Sequence, residues 1–449
     1  MSAPAVAHGN PKGTGPAMHS RGVFDPEHAR QMGLPVVDVW QPGSVEEVAD
    51  CVHRARRQQV AIYPVGGGTL LAFGQPSTRP GILLDMSRLQ QTVEYPARDL
   101  TITMQVGVTA GGLEQILQQE GQTLPVDIPR ADQATLGGAV ACNLSGPRRL
   151  GFGTLRDYLI GIQYVNDRGD VCKAGGRVVK NVAGYDLCKL FIGSLGALGI
   201  LTALTFKVRP LPGDSALVLV HCPDGHLPIL LDVLSRSATQ PTALEVLDAQ
   251  ATARLHALAG WRPQQLHWLV VIGYQEHARN VAWQLEQVAK ELQSHPVALV
   301  HRSLGPDSQP LWRALADGLY CVVPQWTDSE QADGRWILVR ASAPPSRMAE
   351  LCRYARGRDW AVQAHAGSGI MLAALDASDS DRCVASVNEL RQVTAQAGGA
   401  AAVVSCPASL RPQCPWWDPA RPEVSLMARI KRAFDPTGIF NPGRFVEGL

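Results

Sequence analysis

The stretch at residues 125–147 (PVDIPRADQATLGGAVACNLSGP) constrains the fold of this 449-residue chain more than any other. Its centre, residues 135–139, combines glycine with small side chains and carries no charge. Such a segment presents backbone N–H groups rather than bulky side chains, and successive exposed N–H groups form a concavity that binds anions. Glycine also permits positive φ angles and close backbone contacts. The stretch therefore predicts a backbone-lined site for an anionic ligand.

A second glycine-rich loop lies earlier in the chain. Residues 36–40 read as a strand, Ser44 is placed to cap a helix with Glu47 three positions later, and residues 60–64 read as the next strand. That strand runs directly into Val65-Gly66-Gly67-Gly68-Thr69. The loop does not match G-x-G-x-x-G at the start of a helix, and no G-K-[ST] follows it. Its backbone N–H groups can face a phosphate, although a triple-glycine loop is a weak signal by itself, and the loop belongs to neither the Rossmann nor the P-loop class.

Composition excludes several classes of function. The ten cysteines include no C-x-x-C pair, so neither a zinc site nor a cysteine-ligated iron–sulfur cluster is indicated. The 41 basic and 40 acidic residues nearly balance and form no basic stripe, which argues against nucleic-acid binding. The first twenty residues lack an apolar core and read as a disordered tail rather than a signal peptide. We expect a cytoplasmic protein; any contact with a membrane would come through a partner.

The second half of the chain has a different pattern. Apolar strand-like runs at 216–220, 268–272, 336–340, 371–375 and 401–405 alternate with helical patterns at about 226–236, 279–292, 345–356 and 379–397. This alternation predicts an α+β unit whose antiparallel sheet is covered by helices. Residues 303–333 read as irregular. Because pockets often form where domains meet, we expect the substrate to bind between this unit and the first domain.

With the tail IKRAFDPTGIFNPGRF at residues 430–445, these motifs resemble the FAD-binding domain of the vanillyl-alcohol oxidase / p-cresol methylhydroxylase (PCMH-type) superfamily. Within it, the chain is most similar to the FAD-binding subunits of bacterial glycolate oxidases. The resemblance implies an α+β fold: a two-lobed PCMH-type FAD-binding domain, an antiparallel-sheet α+β cap, and a C-terminal tail that returns to the flavin domain. The expected boundaries are 1–30 (disordered tail), 31–213 (FAD domain), 214–407 (cap) and 408–449 (C-terminal segment).

The resemblance also implies which residues bind FAD. For Leu136 and Ala141, packing in the core is the stronger alternative. The implied set is Pro64, Val65, Gly66, Gly67, Gly68, Thr69, Pro129, Ala134, Thr135, Leu136, Gly137, Gly138, Ala141, Asn143, Ser145, Arg156, Gly199, Ile200 and Asn441.

Lys180 and Tyr185 are further candidates for the cofactor channel, although a structural helix entry explains that segment equally well. Covalent members of the superfamily attach FAD through a histidine in the first glycine loop or through a cysteine. Here Leu70 and Leu71 follow Thr69, and Cys142 lies past the cysteine position. We therefore expect non-covalent FAD.

One loop of the cap resembles the H-x-G-x-G motif of FAD-linked 2-hydroxy-acid dehydrogenases. His365 occupies the histidine position, but Ser368 stands where an aspartate is expected and no second histidine follows. One imidazole does not make a divalent metal site, so we expect none. His365 and Arg340 are the candidate catalytic residues, and for His365 a structural hydrogen bond is an equal alternative.

The function that the resemblance implies is oxidation of a small 2-hydroxy acid to a 2-oxo acid, with hydride transfer to the flavin. Electrons would leave through an iron–sulfur subunit, and a second flavoprotein subunit would complete the complex. Two alternatives stay open. The chain is a self-sufficient FAD-dependent dehydrogenase or oxidase of another small hydroxy acid, or it is a flavin-holding, non-catalytic assembly subunit.

Overall fold

The computed structural model describes residues 24–177, 184–259, 267–323, 334–418 and 422–449. Residues 1–23 and the candidate Lys180 lie outside these ranges. The described part of the expected N-terminal tail is folded, because Pro26–Gln31 forms a helix (α1) capped by Asp25 and the side chain of Ala29 is buried. The boundary expected at residue 30 is therefore corrected: the folded domain already includes Phe24, which is also buried.

The first lobe is a three-stranded parallel sheet in the order β1-β3-β2. The helix after β1 begins at the predicted cap, since Ser44 Oγ accepts a hydrogen bond from Glu47 N (3.2 Å). The helix buries Val48, Val52 and Ala55, which recur at helical spacing. The elements are β1 (Val36–Trp40), α2 (Val45–Gln58), β2 (Ala61–Val65) and β3 (Gly81–Asp85).

The second lobe is a five-stranded antiparallel sheet in the order β4-β5-β9-β7-β8, accompanied by the short pair β6-β10. Residues 166–170 (NDRGD), whose composition predicts a hairpin turn, join β7 and β8. The elements are β4 (Thr92–Glu94), β5 (Thr101–Gln105), α3 (Ala110–Gln119), β6 (Gln122–Thr123), α4 (Leu136–Cys142), α5 (Arg149–Phe152), α6 (Leu155–Tyr158), β7 (Leu159–Val165), β8 (Val171–Gly175), α7 (Leu187–Phe191), β9 (Ile200–Lys207) and β10 (Arg209–Pro210).

The cap is built on an eight-stranded antiparallel sheet in the order β14-β11-β13-β12-β16-β17-β15-β18. The elements are β11 (Asp214–Cys222), α8 (Leu227–Ser235), β12 (Ala243–Asp248), α9 (Ala249–Ala259), β13 (Trp268–Glu276), α10 (Ala278–Leu292), β14 (Ala298–Leu304), α11 (Gln309–Asp317), β15 (Trp336–Ser342), α12 (Met348–Arg356), β16 (Ala361–His365), β17 (Ile370–Asp376), α13 (Ser380–Gln396) and β18 (Ala400–Ser405).

Alternate residues of the cap strands face two different cores. Val218 and Val220 pack with α8, α10 and α12, whereas Leu217 and Leu219 belong to the core shared with α11 and the FAD domain. The sheet therefore turns one face toward the flavin domain, and the predicted α+β fold of two lobes and a cap is confirmed.

The expectation that residues 303–333 are irregular was wrong for part of that stretch. β14 extends to Leu304, and α11 spans Gln309–Asp317 with Leu311, Trp312 and Leu315 buried. Pro306 and Pro310 interrupt the sequence pattern there, but Pro310 lies in the first turn of α11, where its missing N–H costs nothing.

The C-terminal tail returns to the first lobe. After α14 (Glu423–Phe434), the chain runs beside β2: Ile62 N donates to Ile439 O (2.7 Å) and Asn441 N donates to Ile62 O (2.8 Å). The helix ends at Asp435, the residue before Pro436, as its sequence predicts. Within the described residues, no helix has both the length and the apolar character to cross a bilayer.

Asp248 provides a stability test of the cap. It is buried and caps α9 by accepting from Ala251 N (2.8 Å), and burial raises the pKa of its carboxyl to about 6. Because the folded pKa is above the unfolded one, the carboxyl stabilises the fold at low pH. That contribution is lost as the pH rises through about 4 to 7. The loss in the free energy of unfolding is at most about 3 kcal/mol, which corresponds to a shift of two pKa units.

Asp248→Asn keeps a capping oxygen but cannot ionise. We therefore expect its free energy of unfolding to fall less than that of the wild type as the pH rises. Urea denaturation gives the free energy of unfolding at pH 5 and at pH 8. The difference between the variant and the wild type should be ~1–3 kcal/mol more favourable to the variant at pH 8 than at pH 5. The exposed Asp232→Asn serves as the control. Parallel pH curves for Asp248→Asn and the wild type would contradict the raised pKa.

Candidate functional site

A cavity lies between the two lobes, and the C-terminal tail forms part of its wall. Both glycine-rich stretches contribute to its wall. Thirteen of the residues that the sequence nominated for the cofactor line it: Pro64, Val65, Gly66, Gly67, Gly68, Thr69, Thr135, Gly137, Gly138, Ala141, Gly199, Ile200 and Asn441.

Six nominated residues lie outside this lining. Ala134 and Leu136 are buried in the core, and Arg156 is exposed, where Nη1 donates to Lys189 O (2.9 Å). Asn143 ends α4 with a φ of 52°, and Ser145 accepts from Arg149 Nη1 (3.1 Å). Pro129, Ala134, Leu136, Asn143, Ser145 and Arg156 are thus supporting residues around the cavity rather than part of its wall.

The glycines are required because two backbone segments touch. A Cβ on Gly66 would lie 2.0 Å from Thr135 Oγ1, and a Cβ on Gly67 would lie 2.0 Å from Gln133 O. On the other side of the turn, a Cβ on Gly137 would lie 2.8 Å from Val106 Cβ. The two glycine-rich stretches therefore pack directly against each other and leave their backbone as the cavity wall, which suits a phosphate-bearing cofactor such as FAD.

Sequence reasoning missed several lining residues, and two of them are chemically important. Arg444 and Cys142 both line the cavity. Burial raises the pKa of the Cys142 thiol to about 12, so the group stays a neutral thiol near pH 7. The arginine could have been found from its place in the tail motif N-P-G-R, but nothing in the sequence indicates that Cys142 reaches the cavity.

His365 is held by a buried carboxylate. Its Nδ1 lies 2.8 Å from both Oε1 and Oε2 of Glu245, and both side chains are buried. Gln363 Nε2 donates to the same carboxylate (3.2 Å). Glu245 was missed, although a glutamate inside the apolar run Ala243-Leu-Glu-Val-Leu is itself a signal of a buried polar contact.

Arg340 lies near two polar groups that the sequence did not nominate, Arg149 and Tyr320. The pKa of the Arg149 guanidinium is lowered first by burial and next by the charge of Arg340. Burial raises the pKa of Tyr320, and the charges of Arg340 and Arg149 oppose that rise. Within the described residues, the Arg340 side chain makes no hydrogen bond or ion pair, and the Tyr320 hydroxyl has no partner. This group joins the FAD domain to the cap.

The strand register places Arg340 and His365 on one face of the cap sheet. Arg340 pairs with Leu372, and Leu372 pairs with Gln363, two residues before His365. Directly paired residues share a face, and this face carries Leu372 and Leu247, which pack toward the flavin domain. Arg340 and His365 are two strands apart and offset by two residues along the sheet, so their backbones are roughly 12 Å apart. A small molecule between cap and cavity could therefore contact both.

No group of three or more His, Cys, Asp or Glu side chains in the described ranges is arranged to hold a metal ion. Tyr185, a further candidate for the cofactor channel, is 95% exposed and is not among the residues that line the cavity.

We expect Gly66→Ala to weaken FAD binding at least tenfold, about 1.4 kcal/mol, because the new methyl must displace Thr135 and with it the cavity wall. Fluorescence titration of the apoprotein with FAD gives the dissociation constant. Gly225→Ala is the matched control, since a Cβ there meets nothing within 4 Å. Equal affinities for the two variants would exclude this loop as part of the cofactor site.

Two family models match the chain. An FAD binding domain matches residues 38–175, and the C-terminal domain of FAD linked oxidases matches residues 216–402 and 418–445. Together they cover more than half of the chain: the first match lies within the FAD domain, and the second covers most of the cap and the C-terminal tail.

Individual relatives agree with this assignment. A D-2-hydroxyglutarate dehydrogenase of Xanthomonas citri pv. viticola is 27% identical over 90% of this chain and 88% of that protein. Glycolate oxidase subunit GlcE of Escherichia coli is 39% identical, but the match covers 36% of this chain and 47% of that protein.

Among solved structures, the 4-ethylphenol oxidase of Gulosibacter chungangensis superposes with a TM-score of 0.69 at 17% identity, covering 94% of this chain and 93% of that one. At that identity the likeness shows the fold alone. The family models, the relatives and the shared fold agree, and the chain therefore belongs to the FAD-linked oxidases, as an FAD-dependent oxidoreductase with a PCMH-type FAD-binding domain.

Proposed function

We propose that this chain oxidises a small 2-hydroxy acid at the boundary between cap and FAD domain. The names of its relatives support this class of substrate, since they include a D-2-hydroxyglutarate dehydrogenase, a D-lactate dehydrogenase and glycolate oxidase subunits. The observation that carries the proposal is the pair Arg149 and Arg340, two neighbouring guanidinium groups from different domains.

The two arginines suit a substrate carboxylate. Arg149 donates to Ser145 Oγ (3.1 Å) and forms no ion pair in the described part of the chain, and Arg340 has no partner there. Each guanidinium keeps N–H donors in a planar fork that matches a carboxylate. The hydroxyl of Tyr320 is a third polar group that a bound 2-hydroxy acid would meet.

His365 is the proposed acceptor of the substrate's hydroxyl proton. When Glu245 is ionised its oxygens can only accept, so Nδ1 of His365 carries the hydrogen and Nε2 is left as the basic nitrogen. When bound, FAD supplies the redox chemistry by accepting a hydride from the substrate carbon. The protein's part is to orient the carboxylate through Arg149 and Arg340 and to remove one proton through His365.

We further propose that the chain works as a subunit. Two relatives carry the word subunit in their names, which supports membership of a complex. In this proposal the complex contains a second flavoprotein and an iron–sulfur partner that receives the electrons. The substrate and the cofactor site do not depend on this partner, so the two proposals can be tested separately.

The test is anaerobic reduction of the FAD-loaded chain by glycolate, D-lactate or D-2-hydroxyglutarate, followed by bleaching of the flavin band. We expect Arg340→Gln and Arg149→Gln each to lower the second-order rate about 10- to 100-fold, since a hydrogen bond to a charged group contributes ~1.5–3 kcal/mol. The control is Arg302→Gln, an exposed arginine on β14 of the same sheet. Bleaching that is absent with all three acids, or unchanged in both variants, would refute the substrate site.

We also propose that FAD is bound without a covalent link. The chain has no histidine in the first glycine loop, and the cavity-lining thiol of Cys142 has a pKa of about 12, too high for an attacking thiolate. Acid precipitation of the purified flavoprotein should therefore release all the yellow chromophore into the supernatant. Flavin that stays in the pellet, and that disappears in Cys142→Ser, would reverse this conclusion.

A further inference from the structure

Two guanidinium groups are buried side by side where the tail meets the first lobe. Arg444 and Arg411 are only 3% and 6% exposed. Within the residues that the structure describes, neither forms an ion pair with a carboxylate. Both bind backbone carbonyls at residues 71–75: Arg444 Nη2 donates to Leu71 O (2.7 Å) and Phe73 O (2.6 Å), and Arg411 Nη1 donates to Ala72 O (3.3 Å).

A buried cation without a counter-ion is unfavourable, since burial removes its hydration and neutral carbonyls replace that only in part. The pKa of Arg444 reflects this unfavourable environment: it is lowered to about 9, first by burial and next by the charge of Arg411. The group stays protonated near pH 7. A third carbonyl, Gln75 O, accepts from Nη1 (3.0 Å), so two of the five N–H donors have no partner in the described residues.

Only one of the two arginines reaches the cofactor cavity. Arg444 is part of its lining, together with Asn441 of the same tail, whereas Arg411 is not. FAD would bring a negatively charged pyrophosphate into such a cavity, and its isoalloxazine ring, which is neutral when oxidised, gains negative charge on reduction. We propose that Arg444 is the counter-charge of bound FAD, and that its buried positive charge is balanced by one of these groups.

A purely structural role for Arg444 can be separated from the proposed one, because Arg411 has only the structural role. Both side chains are buried and both bind the turn at residues 71–75, but only Arg444 faces the cavity. Substitutions at Arg411 therefore measure the cost of loosening the turn, and substitutions at Arg444 add the loss of charge beside the cofactor. This makes Arg411 a matched internal control.

The experiment compares Arg444→Gln and Arg444→Lys with Arg411→Gln and Arg411→Lys. For each variant, apoprotein is titrated with FAD, and the midpoint potential of the bound flavin is measured. Arg444→Gln should weaken FAD binding at least tenfold if the charge faces the pyrophosphate. If the charge faces the ring, Arg444→Gln should lower the potential by about 30 mV, which corresponds to a tenfold loss of preference for reduced FAD in a two-electron couple.

Arg444→Lys, which retains the charge, should keep both properties close to the wild type even where it loses the hydrogen-bond fork. Both Arg411 variants should lower thermal stability while leaving affinity and potential unchanged. Two results would overturn the proposal: Arg444→Lys as defective as Arg444→Gln, or Arg444→Gln no different from Arg411→Gln in both measurements. If Arg444→Gln does not fold, the FAD affinity and midpoint potential of Arg444→Lys still test the proposal.

Discussion

The cofactor cavity depends on a buried ion pair that fastens the C-terminal tail. Lys431 Nζ lies 2.6 Å from Asp435 Oδ2 and also donates to Ala197 O (2.8 Å) and Phe440 O (2.7 Å). Asp435 in turn accepts from the backbone N–H groups of Ile439 and Phe440 (3.0 and 2.8 Å). Both charges are buried but fully hydrogen-bonded, which is the condition under which such a pair is tolerated. Breaking it by removing one partner would cost about 3–5 kcal/mol.

This ion pair links three parts of the wall of the site. Lys431 comes from α14, Ala197 from the loop before β9, and Phe440 from the segment beside β2. Because the tail is fixed in this way, Arg444 is brought to the cavity. Asn441 is held beside it with a φ of 43°, and its Nδ2 donates to Leu195 O. The last twenty residues thus contribute to the wall of the cavity, and the charge proposed for Arg444 is available there only while they are docked.

A second set of contacts aligns the cap with the FAD domain. The backbone N–H of Arg130 donates to Asp317 at the end of α11 (2.6 Å), and its guanidinium donates to Tyr320 O (2.6 Å). A second contact lies at α5, where Gly151 N donates to Thr242 O of the cap (3.1 Å). The side chain of Leu150 packs so closely on Gly367 that a Cβ there would lie 2.7 Å from Leu150 Cδ2. Arg149 of α5 is therefore held beside Arg340 of β15, although the two belong to different domains. The proposed carboxylate site therefore depends on the docking of the cap against the FAD domain.

The sequence by itself determined the local features. The two glycine-rich loops, the Ser44 cap, the hairpin at residues 166–170 and the helix end before Pro436 all follow from short-range geometry, and each is where its sequence predicts. The sequence could not separate Leu136, which is core, from Gly137, which lines the cavity, because that depends on which face of α4 meets the second glycine loop. Nor could it bring Glu245 to His365, Arg149 to Arg340, or Arg444 to the cavity. These residues lie from 120 to 373 positions apart along the chain, and only the packing of the cap and the tail against the two lobes decides where they meet.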